Sequence, residues 1–173
     1  MNGPLFSAIP TLECGASERL DETMRLYTLG YQQVSLQDYL QSLVESGIGV
    51  VLDVRETAWS YKRGFSKSQL QAALNNVGIS YIHVPSAGNP SQNRKTAKSP
   101  AECLRRYRKH LNQHPSCINE LLVHIKRAAK AGRPACLTCY EKHHSDCHRS
   151  ILVDALQIAE PKIRPRHLEA DVK

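Results

Sequence analysis

Strand-like and helix-like hydrophobic patterns alternate along most of the chain. Apolar runs typical of buried strands lie at 24–30, 50–55, 81–84 and 135–141. Between and after them, apolar residues recur every three or four positions, as they do on the buried face of a helix. Helix starts are indicated by Ser35, Ser66 and Ser99, and further helices by the patterns over 116–131 and from about Cys147 to Ala159. This alternation predicts an α/β fold, a single three-layer domain whose mostly parallel sheet is flanked by helices.

Two segments fall outside this pattern, and a third fits it less well. Residues 1–23 carry little periodicity, so we expect a flexible N-terminal leader followed by one α/β domain over 24–173. The stretch from Pro85 to Ser99 is rich in Ser, Asn, Gly and Pro, and its length predicts a functional loop. The stretch 163–172 is a candidate final strand, which Pro165 would restrict to the edge of the sheet.

Composition is that of a globular protein and excludes a membrane-spanning one. The 173 residues are 41% hydrophobic and 23% charged, and no apolar run approaches the roughly 20 residues of a transmembrane helix. The N-terminus lacks the basic and apolar regions of a signal peptide, so we expect a cytoplasmic protein. In that reducing compartment, the six cysteines are expected to be free thiols or ligands rather than disulfides.

The net charge of +7 is concentrated in one segment. Between Arg94 and His114, a single acidic residue, Glu102, is accompanied by seven basic ones: Arg94, Lys95, Lys98, Arg105, Arg106, Arg108 and Lys109. This concentration of positive charge attracts anionic small molecules or nucleic acids, although a solvated helix face has the same pattern of basic residues. The segment therefore predicts an anionic partner, with the solvated face as the alternative, and it indicates no oligomeric state.

Reactive side chains are expected to meet at one edge of the sheet. Ligands of open parallel sheets bind beyond the carboxyl ends of the strands, and Arg55, Cys139 and Glu141 follow or end two of the predicted strands. Cys139 and Glu141 are two positions apart, so we expect them on one face. Cys147 and Arg149 fall at the start of the next helix, where the helix dipole favours a thiolate and binds anions.

This arrangement leads to our first functional hypothesis, a thiol-dependent transferase or hydrolase that acts on an anionic, nucleotide-like substrate. Cys147 is the candidate nucleophile, Glu141 the acid–base group, and Arg55 and Arg149 the anion clamp. Structural roles stay open for the same side chains. Cys139 also suits a buried apolar position, and Glu141 also suits a helix cap or an ion pair with Arg149.

Some neighbouring residues have two interpretations as well. Asp53 suits either the substrate-binding edge or a structural role as an acceptor for loop amides. Trp59, the single tryptophan, suits either a cover over the core or a stacking surface for a base. A second hypothesis is a nucleic-acid-binding module that uses the basic helix around Arg105–Lys109.

A metal site is the third hypothesis. Cys136, Cys139, Cys147 and His148 are ligand types suited to zinc. Residues three apart on a strand point to opposite faces, so Cys136 and Cys139 are not expected to share an ion. We therefore predict no cofactor and no metal ligands, while a zinc site built from Cys139, Cys147 and one histidine stays open.

Six motifs in a fixed order give the chain a family resemblance. They are Thr28-Leu29-Gly30-Tyr31, Asp53-Val54-Arg55, Gly64-Phe65-Ser66-Lys67, Tyr81-Ile82-His83-Val84-Pro85, Gly88-Asn89-Pro90, and Cys139-Tyr140-Glu141 followed by Cys147-His148-Arg149-Ser150. Over about 27–168 the chain resembles the bacterial and archaeal family called domain of unknown function 488, for which no activity is established.

The resemblance implies a compact cytosolic α/β domain in which the motif residues cluster. It implies a site made of Thr28, Gly30, Asp53, Arg55, Cys139, Glu141, Cys147, His148 and Arg149. Tyr31 stands where many members have histidine, which argues against a catalytic role at that position. Cys136 does not belong to the family pattern, which further weakens a zinc site of all four ligands.

Overall fold

The computed structural model describes residues 23–170, so the expected leader lies outside the described residues except for its last position. The strands are β1 Met24–Gly30, β2 Val50–Asp53, β3 Ser80–His83, β4 Ala135–Cys139 and β5 Ile163–Leu168. The helices are α1 Leu36–Glu45, α2 Lys67–Asn76, α3 Ser91–Thr96, α4 Pro100–Gln113, α5 Ser116–Lys130 and α6 Arg149–Ala159. Single 3₁₀ turns lie at Pro85–Ala87 and His144–Asp146.

The five strands form one parallel sheet in the order β3-β2-β4-β1-β5. Parallel strands need crossover connections, and a helix or helices follow each of β1 to β4. The predicted α/β fold with a sheet flanked by helices is therefore confirmed. The carboxyl ends of β1, β2 and β4 lie side by side, because Gly30 pairs with Cys139 and Asp53 pairs with Thr138.

Each face of the sheet packs against its own group of helices. One apolar cluster contains Tyr39 and Leu43 of α1 and Leu70 and Leu74 of α2. The other contains residues of α4, α5 and α6, including Tyr107, Leu121 and Leu152. The two clusters are the interfaces between the three layers, since hydrophobic burial stabilises each helix only where its apolar face meets the sheet.

The alternation of side chains along β4 separates two cysteines that are close in sequence. Cys136 is fully buried in the cluster under α1 and α2, whereas Cys139 belongs to the cluster under α4, α5 and α6. Successive strand residues point to opposite faces, so positions three apart diverge. The sequence argument that excluded Cys136 from a site containing Cys139 is confirmed.

Most helix starts follow the predicted capping signals. The hydroxyl oxygens of Ser35 and Ser99 accept hydrogen bonds from the backbone N–H groups of Asp38 and Glu102. Ser66 precedes α2 without capping it, because its hydroxyl contacts the backbone of Ser60 instead. None of the helices within 23–170 is long and apolar enough to cross a membrane.

Two expectations near the sheet edge need correction in detail. The last helix begins at Arg149, two residues later than predicted, because a 3₁₀ turn over His144–Asp146 precedes it. The segment 85–99 contains a 3₁₀ turn and the short helix α3 rather than only a loop. The final strand lies at the edge of the sheet beside β1, as predicted, although it ends at Leu168.

Gly30 allows the chain that leaves β4 to cross the end of β1. A Cβ atom added at Gly30 would overlap the carbonyl oxygen of Glu141, which is backbone and cannot rotate away. The backbone N–H groups of Tyr31 and Gln32 donate to the carbonyls of Cys139 and Tyr140, so the two chain segments stay paired beyond the strands. Glycine is required here because of close backbone approach.

We expect Gly30→Ala to lower the free energy of unfolding by about 3 kcal/mol or more, since the backbone at Glu141 must move. Gly47→Ala is the matched control. Its position has open space around the missing side chain but a φ of +66°, which costs only about 1–2 kcal/mol. Urea denaturation of both variants measures the difference, and equal losses would contradict the steric explanation.

Candidate functional site

An open cleft of about 1350 Å³ lies at the carboxyl edge of the sheet. It is lined by residues from the loops after β1, β2 and β4 and from the region of α3 and α4. Arg55, Cys139, Glu141 and His148 are among the lining residues, which is the edge predicted from the strand order. The cleft is larger than the roughly 300–1,000 Å³ of most small-molecule pockets.

Four Cys, Glu and His side chains converge beside this cleft, and three of them line it. The potential ligand atoms of Cys139, Glu141, Cys147 and His148 all lie within 4.8 Å of one another. The Cys139 Sγ lies 3.2 Å from Glu141 Oε2. His148 Nδ1 lies 3.7 Å from each of the two sulfur atoms. We call these four residues the thiol cluster.

Local backbone structure brings the thiol cluster together from two directions. Cys139 is the last residue of β4, and Glu141 lies two residues beyond it. The turn over His144–Asp146 then reverses the chain, with the Cys147 N–H donating to the His144 carbonyl. His148 is the N-cap residue of α6, so the helix start holds its side chain against the sheet.

The His148 ring is oriented by a backbone hydrogen bond. Its Nε2 lies 2.8 Å from the carbonyl oxygen of Val54, just beyond β2, and a carbonyl can only accept. Nε2 therefore carries a proton, and Nδ1 is the ring nitrogen that faces Cys139 and Cys147. Tyr107 packs edge-on against the same ring, with 5.0 Å between centroids.

The pKa values of the two cysteines in the cluster are shifted in opposite directions. Burial alone would raise the pKa of Cys147, but the hydrogen bond with Cys139 and the positive charges of His148 and Arg149 hold that pKa well below its usual value. The interaction with the Cys147 thiolate, followed by burial, raises the pKa of Cys139 well above its usual value. Cys147 is therefore the more acidic thiol of the pair.

Glu141 is protonated more readily than an exposed carboxyl group. Burial and then the negative charge of Cys147 raise its pKa. The pKa of His148 is raised too, since the charge of Cys147 and the hydrogen bonds outweigh the effect of burial. The negative charge of Cys147 therefore contributes to the raised pKa of all three neighbours, Cys139, Glu141 and His148.

Arg149 lies inside the protein rather than on the wall of the cleft. Its side chain is fully buried, its Nε lies 3.3 Å from Cys147 Sγ, and its Nη2 donates to the Glu141 carbonyl. Among the described residues its Nη1 has no hydrogen-bond partner. The contacts make Arg149 a counter-charge for Cys147 and a support for the segment that carries Glu141.

Arg55 does line the cleft, but most of its hydrogen-bonding groups are already used. Its guanidinium forms a buried, bidentate ion pair with Asp53 and also donates to the Tyr31 hydroxyl and the Phe65 carbonyl. Tyr81 adds a further hydrogen bond to Asp53. Burial lowers the pKa of Arg55, and the Asp53 interactions more than reverse this. The pair joins the ends of β2 and β3 to the loop before α2.

The remaining predicted site residues hold the edge of the sheet together. Thr28 is buried, and its hydroxyl contacts His167 Nδ1 on β5 at 3.0 Å. Gly30 provides the backbone crossing described above. Tyr31, which the sequence argument set aside, stacks on Phe65 at 4.3 Å and binds Arg55. In the sequence, the one signal for such a supporting role is that the residue directly follows a predicted strand.

The predicted basic segment is partly neutralised. Arg94 pairs with Glu56, Arg106 with Glu102, and Arg108 with Asp154. Among the described residues, the side chains of Lys98 and Arg105 form no ion pair, and Lys98 lines the cleft. The cations therefore contribute to the cleft through a few side chains rather than through a continuous basic helix.

These features define an α/β protein with a parallel sheet and a Cys, Glu and His cluster at its carboxyl edge. The chain belongs to the family described as "Domain of unknown function DUF488", which it matches over residues 35–156. That match spans more than half of the chain and includes the thiol cluster, Asp53 and Arg55, while Thr28 and Gly30 precede it. No curated protein and no solved structure matches the chain.

Asp53→Asn is expected to lower the free energy of unfolding by about 3–5 kcal/mol, because it leaves the buried Arg55 charge without its partner. The control is Glu102→Gln, which removes a partly exposed pair with Arg106 and is expected to change stability by only about 0–1 kcal/mol. Thermal or urea unfolding measures both. A loss at Asp53 no larger than at Glu102 would show that the buried pair is not a structural requirement.

Proposed function

We propose that this protein is a metal-dependent hydrolytic enzyme for an anionic substrate. Cys139, Cys147 and His148 bind a zinc ion, and Glu141 acts beside it as the acid–base group. The proposal depends above all on the orientation of His148, whose Nδ1 is directed at both sulfur atoms at 3.7 Å.

The hydrogen bond between His148 Nε2 and the Val54 carbonyl is the arrangement found behind metal-binding histidines. In such sites the second ring nitrogen donates to a carbonyl or carboxylate, which fixes the tautomer and aims the first nitrogen at the metal. A histidine that merely filled the core would not need its Nδ1 atom between two sulfur atoms.

The donor chemistry favours zinc. Two sulfur atoms and one imidazole nitrogen suit zinc and other soft or borderline ions, and do not suit magnesium or calcium. Ligands of a tetrahedral zinc ion lie roughly 3.3–3.8 Å from one another. The two 3.7 Å separations between His148 Nδ1 and the sulfurs fall within that range. Arg149 Nε beside Cys147 Sγ suits a sulfur that carries negative charge.

Three protein ligands leave a fourth position for a reactant, as in catalytic rather than structural zinc sites. Glu141 is half-buried and lines the cleft next to Cys139, so it is the side chain placed to exchange protons with that reactant. A zinc ion held here would supply a Lewis acid and lower the pKa of a water molecule. Glu141 would accept a proton from that water as it attacks, and would donate the proton to the leaving group as the bond to that group breaks.

Basic residues on the cleft wall support the proposal of an anionic substrate. Lys62, Arg94 and Lys98 line the cleft together with Arg55. Arg55 and Arg94 are paired with acidic groups, and the Lys62 ammonium donates to the Tyr31 carbonyl. Lys98 is exposed and forms no ion pair within the described residues, so it is the main candidate for contacting substrate charge.

A thiol-dependent reaction is the second candidate, and the lowered pKa of Cys147 favours it. Arg149 and His148 would stabilise the thiolate without any metal. Cys147 is only 1% exposed, however, and Cys139 is the sulfur on the cleft wall. Because Cys147 is hardly accessible to a substrate, the metal-dependent reaction is favoured. The metal content of the protein distinguishes the two reactions.

Protein purified without chelators is expected to contain about one zinc per chain, measured by inductively coupled plasma mass spectrometry. Cys139→Ala, Cys147→Ala and His148→Ala should each lose most of it, and removing the metal from the wild type should lower the melting temperature. Cys136→Ala is the matched control, because it removes a buried thiol three residues away on the opposite face. A wild type that is folded and free of transition metal after zinc reconstitution would overturn the proposal in favour of the thiol reaction.

Glu141→Gln tests the separate role of the carboxyl group. Because Glu141 is not one of the three proposed ligands, this variant should keep its zinc while hydrolysis falls about 10²–10⁴-fold. The readouts are metal content and turnover in a panel of phosphate esters and anionic amides. Loss of zinc from Glu141→Gln would make Glu141 a fourth ligand and the site a closed, structural one.

A further inference from the structure

Two aromatic side chains stand exposed at the cleft. Trp59 is 56% exposed and Tyr61 is 94% exposed, and both line the cleft. Their rings meet edge to face with 4.2 Å between centroids. Large aromatic groups are usually buried because their burial is strongly stabilising. Trp59 could serve either as a cover over the core or as a stacking surface for a base. Its exposure disfavours the first role and favours contact with a ligand.

The loop that carries these aromatic residues is held in one conformation. The Ser66 hydroxyl donates to the Ser60 carbonyl and accepts from the Ser60 N–H. The N–H of Lys67 donates to the Ala58 carbonyl at 2.8 Å. Lys62 Nζ donates to the Tyr31 carbonyl at 2.8 Å. A surface fixed in this way binds a flat ligand with little further loss of conformational entropy.

Positive charges lie in the same cleft as the aromatic pair. Lys62 follows Tyr61 directly, and Arg94 and Lys98 approach from α3 and the segment after it. Among the residues that the structure describes, Lys98 has no acidic partner for its ammonium group. Aromatic faces combined with a few lysine and arginine side chains are the features by which proteins bind unpaired nucleotides.

We propose that the cleft binds a nucleotide unit, with its base on Trp59 and its phosphate near Lys98. An unpaired base offers a free π-face, whereas the bases of a duplex are covered by their neighbours, so single-stranded nucleic acid and free nucleotides are the ligands that share this chemistry. An acidic peptide would meet the cations but would leave the aromatic pair without a partner. That the bound nucleotide is also the substrate rests on the proposed function.

Trp59 is the only tryptophan in the chain, so its fluorescence reports directly on stacking. Titration of the zinc-loaded protein with single-stranded oligothymidylate is expected to quench this fluorescence saturably, and thymidine monophosphate distinguishes a free nucleotide from a strand. Tighter binding of the oligonucleotide identifies a strand, and equal binding identifies the nucleotide alone. Polyglutamate supplies charge without bases and should not quench.

Two variant pairs separate stacking from charge. In fluorescence polarisation with a labelled oligonucleotide, Trp59→Ala should weaken binding roughly 5- to 100-fold, while Trp59→Phe should largely restore it. Ile158→Ala, which removes an 82% exposed apolar side chain outside the cleft, should have no effect. Lys98→Gln should reduce the log–log salt slope by about 0.7, and Lys130→Gln, the same charge change on α5, should not.

Three results would overturn this inference. They are the absence of quenching, equal quenching by polyglutamate, and equal effects of the cleft variants and their controls. Zinc content is measured on the same samples. Protein that binds the oligonucleotide but retains no zinc after reconstitution would refute the proposed function and leave the nucleotide site intact. Protein that holds zinc but does not bind nucleotides would refute the nucleotide site and leave the proposed function intact.

Discussion

The hydrogen bond between His148 and the Val54 carbonyl joins the start of α6 to the end of β2. Because a carbonyl can only accept, this contact determines which ring nitrogen faces the two sulfur atoms. It requires that β2 and β4 be neighbours, which the pairing of Asp53 with Thr138 provides. The chemistry of the thiol cluster therefore depends on strand order as much as on the identity of its residues.

Two buried arginines support the site in different ways. Arg55 is locked to Asp53, so its charge is balanced and its role is to connect the strand ends with the loop that presents Trp59. Arg149 has no carboxylate partner within the described residues and lies against Cys147. Arg149 thereby favours negative charge on that sulfur, whether the sulfur holds a metal ion or reacts as a thiolate.

The cleft has a floor of Cys, Glu and His side chains and a wall of aromatic and basic ones. Cys139 ends β4, and Glu141 and His148 lie between β4 and α6, while the wall comes mainly from the loop after β2, from α3 and from the segment after α3. Loops at the carboxyl edge of a parallel sheet vary without disturbing the core, so such an edge can carry both reactive side chains and ligand-binding ones. The pKa values of both Cys139 and Glu141 are raised, that of Cys139 chiefly by the interaction with Cys147 and that of Glu141 chiefly by burial.

The sequence by itself determined the α/β class, the strands, most helix starts and the edge at which reactive residues gather. Periodicity and capping are local properties, so they can be read without knowing which segments meet. It also separated Cys136 from Cys139, because strand alternation is equally local. Only the tertiary structure decided that His148 Nδ1 faces both sulfurs, that Arg55 reaches the Tyr31 hydroxyl and that Trp59 remains exposed. Those outcomes depend on strand order and on the conformation of loops far apart in sequence, which no local pattern encodes.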